Sequence, residues 1–245
     1  MTNTAKKVVV VTGASSGIGE AVARRMAADG HIVVAGARRE ERLETIATEV
    51  RAAGGTIDVG PLDVTDRAAM IAFVTAAAER HGRVDVLVSN AGVMLLSMIG
   101  ELLVDEWDRM IDVNLRGLLN GIAAVLPVFR AQGSGHLVSV ASIGAHSVVP
   151  TSGVYSATKY AAWAVAEGLR QESDPGLRVT TVSPGVTESE LAEHISDPVA
   201  REAMLEYRRN VVPASAIAAA VAYAVDQPAG VDVNEIIVRP AAQRP

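Results

Sequence analysis

A chain of 245 residues with 49% hydrophobic but only 3% aromatic residues can bury a large core, and that core has to be aliphatic. The formal net charge of −6, with no basic run, argues against nucleic acid or an anionic membrane as a partner. Absence of cysteine excludes disulfides, thiol catalysis and cysteine metal sites, and the five scattered histidines (His31, His81, His136, His146, His194) lack metal-ligand spacing.

The polar stretch Met1 to Lys7 leads directly into a β-branched run, Val8 to Val11. No signal peptide is evident and no apolar stretch is expected to be long enough to span a bilayer, which predicts a soluble cytoplasmic protein. Further strand-like runs follow at Ile32 to Ala35, Thr56 to Gly60, Val84 to Val88, Leu137 to Val140, Val179 to Val182 and Glu235 to Val238. Most are continuously apolar, as parallel strands covered on both faces should be. Helical patterns fill the gaps near 17–29, 39–53, 66–81, 104–131, 154–173 and 214–226. Repeated β-α-β order without a long linker predicts an α/β chain with one domain over 1–245. Its expected form is a doubly wound, seven-stranded parallel sheet with helices on both faces, a Rossmann fold. Only 186–213 breaks the rhythm. It is mixed and charged, contains Asp197-Pro198, and by length and position is expected to be a lid over a site.

After the first strand comes Thr12-Gly13-Ala14-Ser15-Ser16-Gly17-Ile18-Gly19, opening a helix. Its three glycines serve a tight turn, close approach of backbone to a phosphate, and tight packing of helix on strand. The amino end of the helix then offers unpaired N–H groups and partial positive charge to a pyrophosphate. A second feature is a rare residue. The chain has three lysines against nineteen arginines, and only Lys159 lies away from the amino end. It follows Tyr155 by four positions, so on a helix the phenol and a compact ammonium group share one face.

The TGxxxGxG loop with YxxxK resembles the short-chain dehydrogenase/reductase family, and the resemblance runs along essentially the whole chain. Other family motifs fall in order: Ser89-Asn90-Ala91-Gly92, Asn114, Ser142 and Pro184-Gly185. Ser89 departs from the family's usual asparagine, at a position expected mainly to brace the sheet. The resemblance implies a nicotinamide cofactor bound by Gly13, Ser15, Ser16, Gly17, Ile18 and Gly19 at its phosphates. Asp63 and Val64 would hold the adenine, and Asn90, Ala91 and Gly92 would line the pocket. Pro184, Gly185, Val186, Thr187 and Ser189 would lie by the carboxamide. At the end of the second strand an acidic residue would pair with ribose hydroxyls and repel a 2′-phosphate. Ala37 stands there instead, followed by Arg38 and Arg39, which can hold a phosphate through charge-assisted bonds, so NADP(H) is expected. Arg38 is expected to be the main contact and Arg39 its helper.

For catalysis the resemblance implies Tyr155 as general acid and base, Ser142 as donor to the substrate oxygen and Asn114 as support for a water linked to Lys159. Lys159 would also hold the nicotinamide ribose. A phenol of pKa about 10 needs about 4 kcal/mol to fall by about three units. One ammonium about 4 Å away supplies about that at an effective dielectric near 20. Within the family, the runs Gly92 to Leu96 and Trp107 to Asp112, with Ile237-Val238-Arg239-Pro240, look like a subgroup of clavulanate-type aldehyde reductases and serine-type 3-hydroxy-acid dehydrogenases. The expected activity is therefore NADPH-dependent reduction of a ketone or aldehyde. The alternatives are NADP-linked oxidation of a small 3-hydroxy acid, or a non-catalytic NADPH sensor. Substrate walls are expected from Val93 to Met98, Ile143 to Val154 and the 186–213 segment. Arg201, Arg208 and Arg209 are candidates for a substrate carboxylate. The helices at 104–131 and 154–173 resemble those that join family members into dimers and tetramers, which implies a homodimer or homotetramer. Leu118, Leu119, Ile122, Ala123 and Val125 on the first, with Ala161, Ala162, Trp163 and Val165 on the second, suit such a contact and suit core packing as well.

Overall fold

The computed structural model describes residues 6–242, so Met1 to Ala5 and Gln243 to Pro245, at the ends of the expected 1–245 unit, lie outside the described residues. Seven strands form one sheet: β1 (Val8–Thr12), β2 (Ile32–Ala37), β3 (Thr56–Pro61), β4 (Val86–Ser89), β5 (Gly135–Val140), β6 (Leu177–Pro184) and β7 (Glu235–Val238). Every neighbouring pair is parallel, in the order β3-β2-β1-β4-β5-β6-β7. This is the doubly wound α/β sheet expected from the alternating pattern.

Strand residues alternate between the two faces, and each face has its own core. Val9 and Val11 of β1 join Val22 and Met26 of α1 (Gly17–Ala28), Leu43 and Ile46 of α2 (Glu40–Ala52), and Ile217 and Val221 further along the chain. Val8 and Val10 instead join Met70 and Val74 of α3 (Arg67–His81). The second core also takes Leu118, Val125 and Phe129, together with Ala162 and Ala166. Aliphatic side chains do nearly all of this packing, as the composition required.

Two elements differ from expectation. Val84 is buried but lies before β4, because the Gln132 carboxamide replaces the strand ladder there: it accepts from Val84 N at 2.9 Å and donates to Val84 O at 2.7 Å. The single helix expected at 104–131 is α4 (Val104–Met110), a π turn (Ile111–Arg116) and α5 (Gly117–Gln132). A π turn carries one extra residue. Here it coincides with Asn114, whose buried side chain is drawn inward onto Val93, and with Gly117, where a Cβ would stand 2.8 Å from Val64. Contrary to expectation, Val104–Gln132 is long and apolar enough to cross a membrane by length and composition, its most apolar 18-residue window having a mean hydropathy of 1.3. In the fold, α5 lies against α3 and β5 and buries Leu118, Val125 and Phe129, the packing of a core helix.

The chain continues through α6 (Gly153–Glu172) to β6, and then into the 186–213 segment. That segment holds a short turn (Glu190–His194) and α7 (Pro198–Tyr207), with Thr187 bridged to Val212 at its base. Asp197 explains where α7 begins. Its carboxylate accepts from Ala200 N at 2.7 Å, and Pro198 occupies the first helical position, where a missing N–H costs nothing. Helix α8 (Ala214–Val225) then returns to the face covered by α1.

Gly135 opens β5 under the Phe129 ring, and a Cβ there would stand 2.1 Å from Phe129 Cγ. Gly135→Ala should lower stability by about 1–3 kcal/mol through overpacking. The check is a urea titration, where the midpoint falls and the slope stays unchanged.

Candidate active site

The site begins where β1 and β4 end side by side. Thr12 Oγ1 accepts from Asn90 N at 3.0 Å and Ala91 N at 3.2 Å. The Asn90 carboxamide donates back to Thr12 O at 3.0 Å and Gly13 O at 3.3 Å. The bracing expected of Ser89 is thus carried by its neighbour Asn90. Gly13 has φ +65°, and a Cβ on it would lie 2.8 Å from Ala91 Cα. A Cβ on Gly19 would lie 2.3 Å from Gly13 O, so only glycine allows α1 to start this close to the loop. Ser16 precedes α1 in extended conformation and makes no side-chain cap. The first-turn N–H groups of α1 are therefore left for a ligand.

A cavity of about 1060 Å³ opens beyond the carboxyl ends of the strands. All the predicted site residues line it except Gly19 and Asn114. Gly19 sits behind the loop against Gly13 and Asn90. Asn114 braces the wall from behind: Oδ1 accepts from Val93 N at 2.8 Å, while Nδ2 donates to Val93 O at 2.9 Å and Thr158 Oγ1 at 3.0 Å. Thr158 in turn donates to Tyr155 O at 2.7 Å, tying the π turn to the turn of α6 that carries the phenol. Thr158 was missed in the sequence because a threonine inside YxxxK reads as an ordinary helix residue.

Ser142, Tyr155 and Lys159 come together at the ends of β5 and α6. Ser142 Oγ accepts from Gly144 N at 3.0 Å, which fixes the turn after β5, and Ser142 also hydrogen-bonds the Tyr155 phenol. Lys159 Nζ donates to Val140 O at 3.1 Å and lies 5.9 Å from the centroid of the Tyr155 ring. Lys159 is only 6% exposed, and burial lowers its pKa to about 8. Burial raises the Tyr155 phenol above its ordinary value, and the Ser142 hydrogen bond opposes this only in part. Loss of water around the phenol thus opposes the depression expected from Lys159 and the oxidised nicotinamide ring.

At the arginine end, Ala37 is buried and both following arginines are exposed. Arg39 Nε donates to Ser15 Oγ at 3.2 Å, Nη2 to Ser16 Oγ at 2.6 Å and Nη1 to Glu190 at 2.8 Å. Arg38 acts on Asp63 through charge. Burial tends to raise the Asp63 carboxyl, but the Thr65 N–H and hydroxyl, with Arg38, hold it below its usual value. Arg42 and Glu190 also line or border this end, and sequence reasoning gave neither a role. Glu190 lies 151 residues from Arg39, beyond the reach of any local pattern.

Of the expected walls, Val93, Met94 and Leu96 line the cavity, whereas Leu95 and Ser97 are buried elsewhere and Met98 is exposed. The arginines of 186–213 separate clearly. Arg201 donates twice to Ile195 O, Arg209 pairs with Glu206, and Arg208 lines the cavity.

Lys159 also makes the stability of the cofactor-free protein depend on pH. A lysine with pKa about 8 when folded and 10.5 when unfolded binds more protons unfolded between those values, so stability rises with pH across that window. Lys159→Met should remove this rise, measured as the difference between wild type and variant in urea titrations from about pH 8 to pH 10.

The family model for short chain dehydrogenases matches residues 7–200. An uncharacterized oxidoreductase of Staphylococcus saprophyticus is 44% identical over 99% of both chains. Among solved structures, the alcohol dehydrogenase of the archaeon Thermococcus sibiricus, in complex with 5-hydroxy-NADP, superposes with a TM-score of 0.87 at 33% identity, covering 98% of this chain and 99% of that one. The closed form of a serine dehydrogenase with NADP+ gives a TM-score of 0.89 at 30% identity, covering 97% and 96%. The protein is a member of the short-chain dehydrogenase/reductase family of oxidoreductases.

Proposed function

We propose that this protein uses NADPH to reduce a ketone or aldehyde to an alcohol. The observation that carries the reading is that Ser142, Tyr155 and Lys159 share one cavity with Arg38 and Arg39. The cavity suits a dinucleotide. Gly13 and Gly19 have no room for a side chain, and α1 begins without a side-chain cap, which leaves N–H groups for a pyrophosphate. Ala37 contributes no carboxylate to repel a 2′-phosphate, and two arginines follow it. Asp63 and Val64 would border the adenine; Asn90, Ala91 and Gly92 the middle of the cofactor; Pro184 to Thr187, with Ser189, the carboxamide. Bound NADPH supplies the hydride.

The chain's own residues handle the proton and the developing charge. Tyr155, which lines the cavity beside Ser142 and Lys159, is the general acid that would give its proton to the substrate oxygen. Ser142 steadies the same oxygen with a hydrogen bond as negative charge grows on it. Lys159 is a buried amine whose pKa is lowered by loss of water. Its proton is therefore available to the phenol and, through the Asn114 region, exchangeable with solvent. Asn114 and Thr158 keep α6 in register with the Val93 wall.

Val93, Met94, Leu96, Val149, Pro150 and Met204 make the remaining lining largely apolar, which favours a neutral or hydrophobic carbonyl. Arg208 supports a second reading. It lines the same cavity, and its guanidinium would suit a carboxylate, as an NADP-linked 3-hydroxy-acid dehydrogenase requires. Outward-facing Leu119 and Trp163, beside exposed Ile111 and Tyr160, support assembly into a homodimer or homotetramer, whereas Leu118, Val125 and Ala162 belong to the core.

The test is loss of reduced-nicotinamide absorbance with NADPH or NADH across hydrophobic ketones, aldehydes and β-keto acids. Turnover of neutral carbonyls with NADPH is expected. Turnover confined to the keto acids would favour the 3-hydroxy-acid reading, and tight NADPH binding with no turnover would favour a sensor. Tyr155→Phe should keep NADPH affinity and lose activity by a factor of about 10²–10⁴. Arg38→Ala should weaken NADPH by about tenfold or more, one charged hydrogen bond's worth, and leave NADH nearly unchanged in a binding titration.

A further inference from the structure

Glu190 brings a carboxylate, additional to Asp63, into the arginine-rich end of the cavity, where a 2′-phosphate would be held. One oxygen accepts from Arg39 Nη1 at 2.8 Å, and the other accepts from Arg42 Nη1. Arg39 gives its remaining two nitrogens to Ser15 and Ser16 of the glycine loop, so all three nitrogens of this guanidinium have partners. The preceding residue, Ser189, approaches within 3.5 Å of where a Cβ on Gly17 would stand, so the 190–194 turn lies across the start of α1. Arg208 anchors the turn by donating to Ser189 O at 2.8 Å. Arg42, and then Arg39, hold the Glu190 carboxyl down at about 2, so it stays ionised at any working pH.

These groups are partly exposed, and a single ion pair of this kind stabilises a fold very little. Charge balance has a larger consequence. A guanidinium fork that recognises a 2′-phosphate has its charge and donors engaged by an internal anion before any ligand arrives. Specificity is a difference of affinities, and a built-in repulsive group changes that difference as surely as an attractive one.

We propose that Glu190 is a specificity-determining residue for the cofactor, an internal competitor for the 2′-phosphate that narrows the preference for NADP(H) over NAD(H). The proposal rests on the reading of Arg38 and Arg39 as a phosphate site. A ribose bearing only hydroxyls makes no claim on the charge of Arg39, and the Glu190 contacts remain closed over it. A 2′-phosphate must draw Arg39 away from Glu190 or share it at close range with another anion.

The experiment is calorimetric titration of wild type and Glu190→Gln with four ligands: NADPH, NADH, adenosine 2′,5′-bisphosphate and adenosine 5′-monophosphate. The two nucleotides lack the nicotinamide half, so they report the adenosine end alone and require no turnover. Glu190→Gln should tighten NADPH and the bisphosphate by about tenfold, the equivalent of about 1.4 kcal/mol, and leave NADH and the monophosphate within about twofold. Equal changes for all four ligands, or none, would overturn the proposal. In an Arg39→Ala background the effect of Glu190→Gln on the bisphosphate should vanish, and its persistence would also count against the proposal. The wild-type ratio of NADPH to NADH affinity tests the NADPH reading by itself, whereas the change in that ratio on substitution tests Glu190. One can therefore fail without the other.

Discussion

At the carboxyl ends of β1 and β4, one threonine hydroxyl and one asparagine carboxamide join two strands whose following helices leave on opposite faces of the sheet. Helix α1 packs on one face, and α4 with α5 goes to the other. A crevice opens at this seam because the chain leaves the two carboxyl ends toward opposite faces. Thr12 and Asn90 hold the seam with five hydrogen bonds, one of which ends on Gly13, the residue that begins the loop. The glycine loop therefore cannot shift without disturbing the pairing of β1 with β4. Loop geometry, cavity floor and sheet register are set by the same few atoms.

Charge is handled in opposite ways in two parts of the cavity. Lys159 is buried and donates to the Val140 carbonyl, and loss of water drives it toward the neutral form. Tyr155 is pushed toward neutrality as well. A dry site of this kind responds strongly to any charge brought into it. The arginine end is already compensated, by Glu190 and by the loop serines. One region owes its character to loss of water, and the other to charges paired within the protein.

Much of this was legible in the sequence. Apolar runs located the inner strands because parallel strands buried on both faces leave little choice of residue, and the β-α-β alternation located the partly exposed edge strands β3 and β7. The glycine spacing and the Tyr155–Lys159 pair stood out because backbone approach and proton chemistry each admit few residue types, whereas Ser142 and Asn114 were singled out only through the resemblance to a family. What escaped depended on distant parts of the chain. The Gln132 side chain that displaces Val84 from β4 lies 48 residues away, and the Glu190 contacts span about three times that separation. The π turn escaped for another reason: apolar periodicity reads straight through one inserted residue in a long helix. The depression of the Tyr155 phenol was expected from charge alone, whereas the fold adds a burial cost that a sequence does not display.

The π turn at 111–116 links the length of the chain to the integrity of both site and core. Each helical residue advances the helix by about 100° of rotation. Losing the extra residue would turn α5 relative to α4 by about that angle. Either Asn114 would leave Val93, or Leu118, Val125 and Phe129 would leave the sheet. The wall of the cavity and the packing of a sixteen-residue helix are thus counted in the same register. Insertions and deletions are expected to collect in 186–213 and to spare this turn, although the turn carries no reacting group of its own.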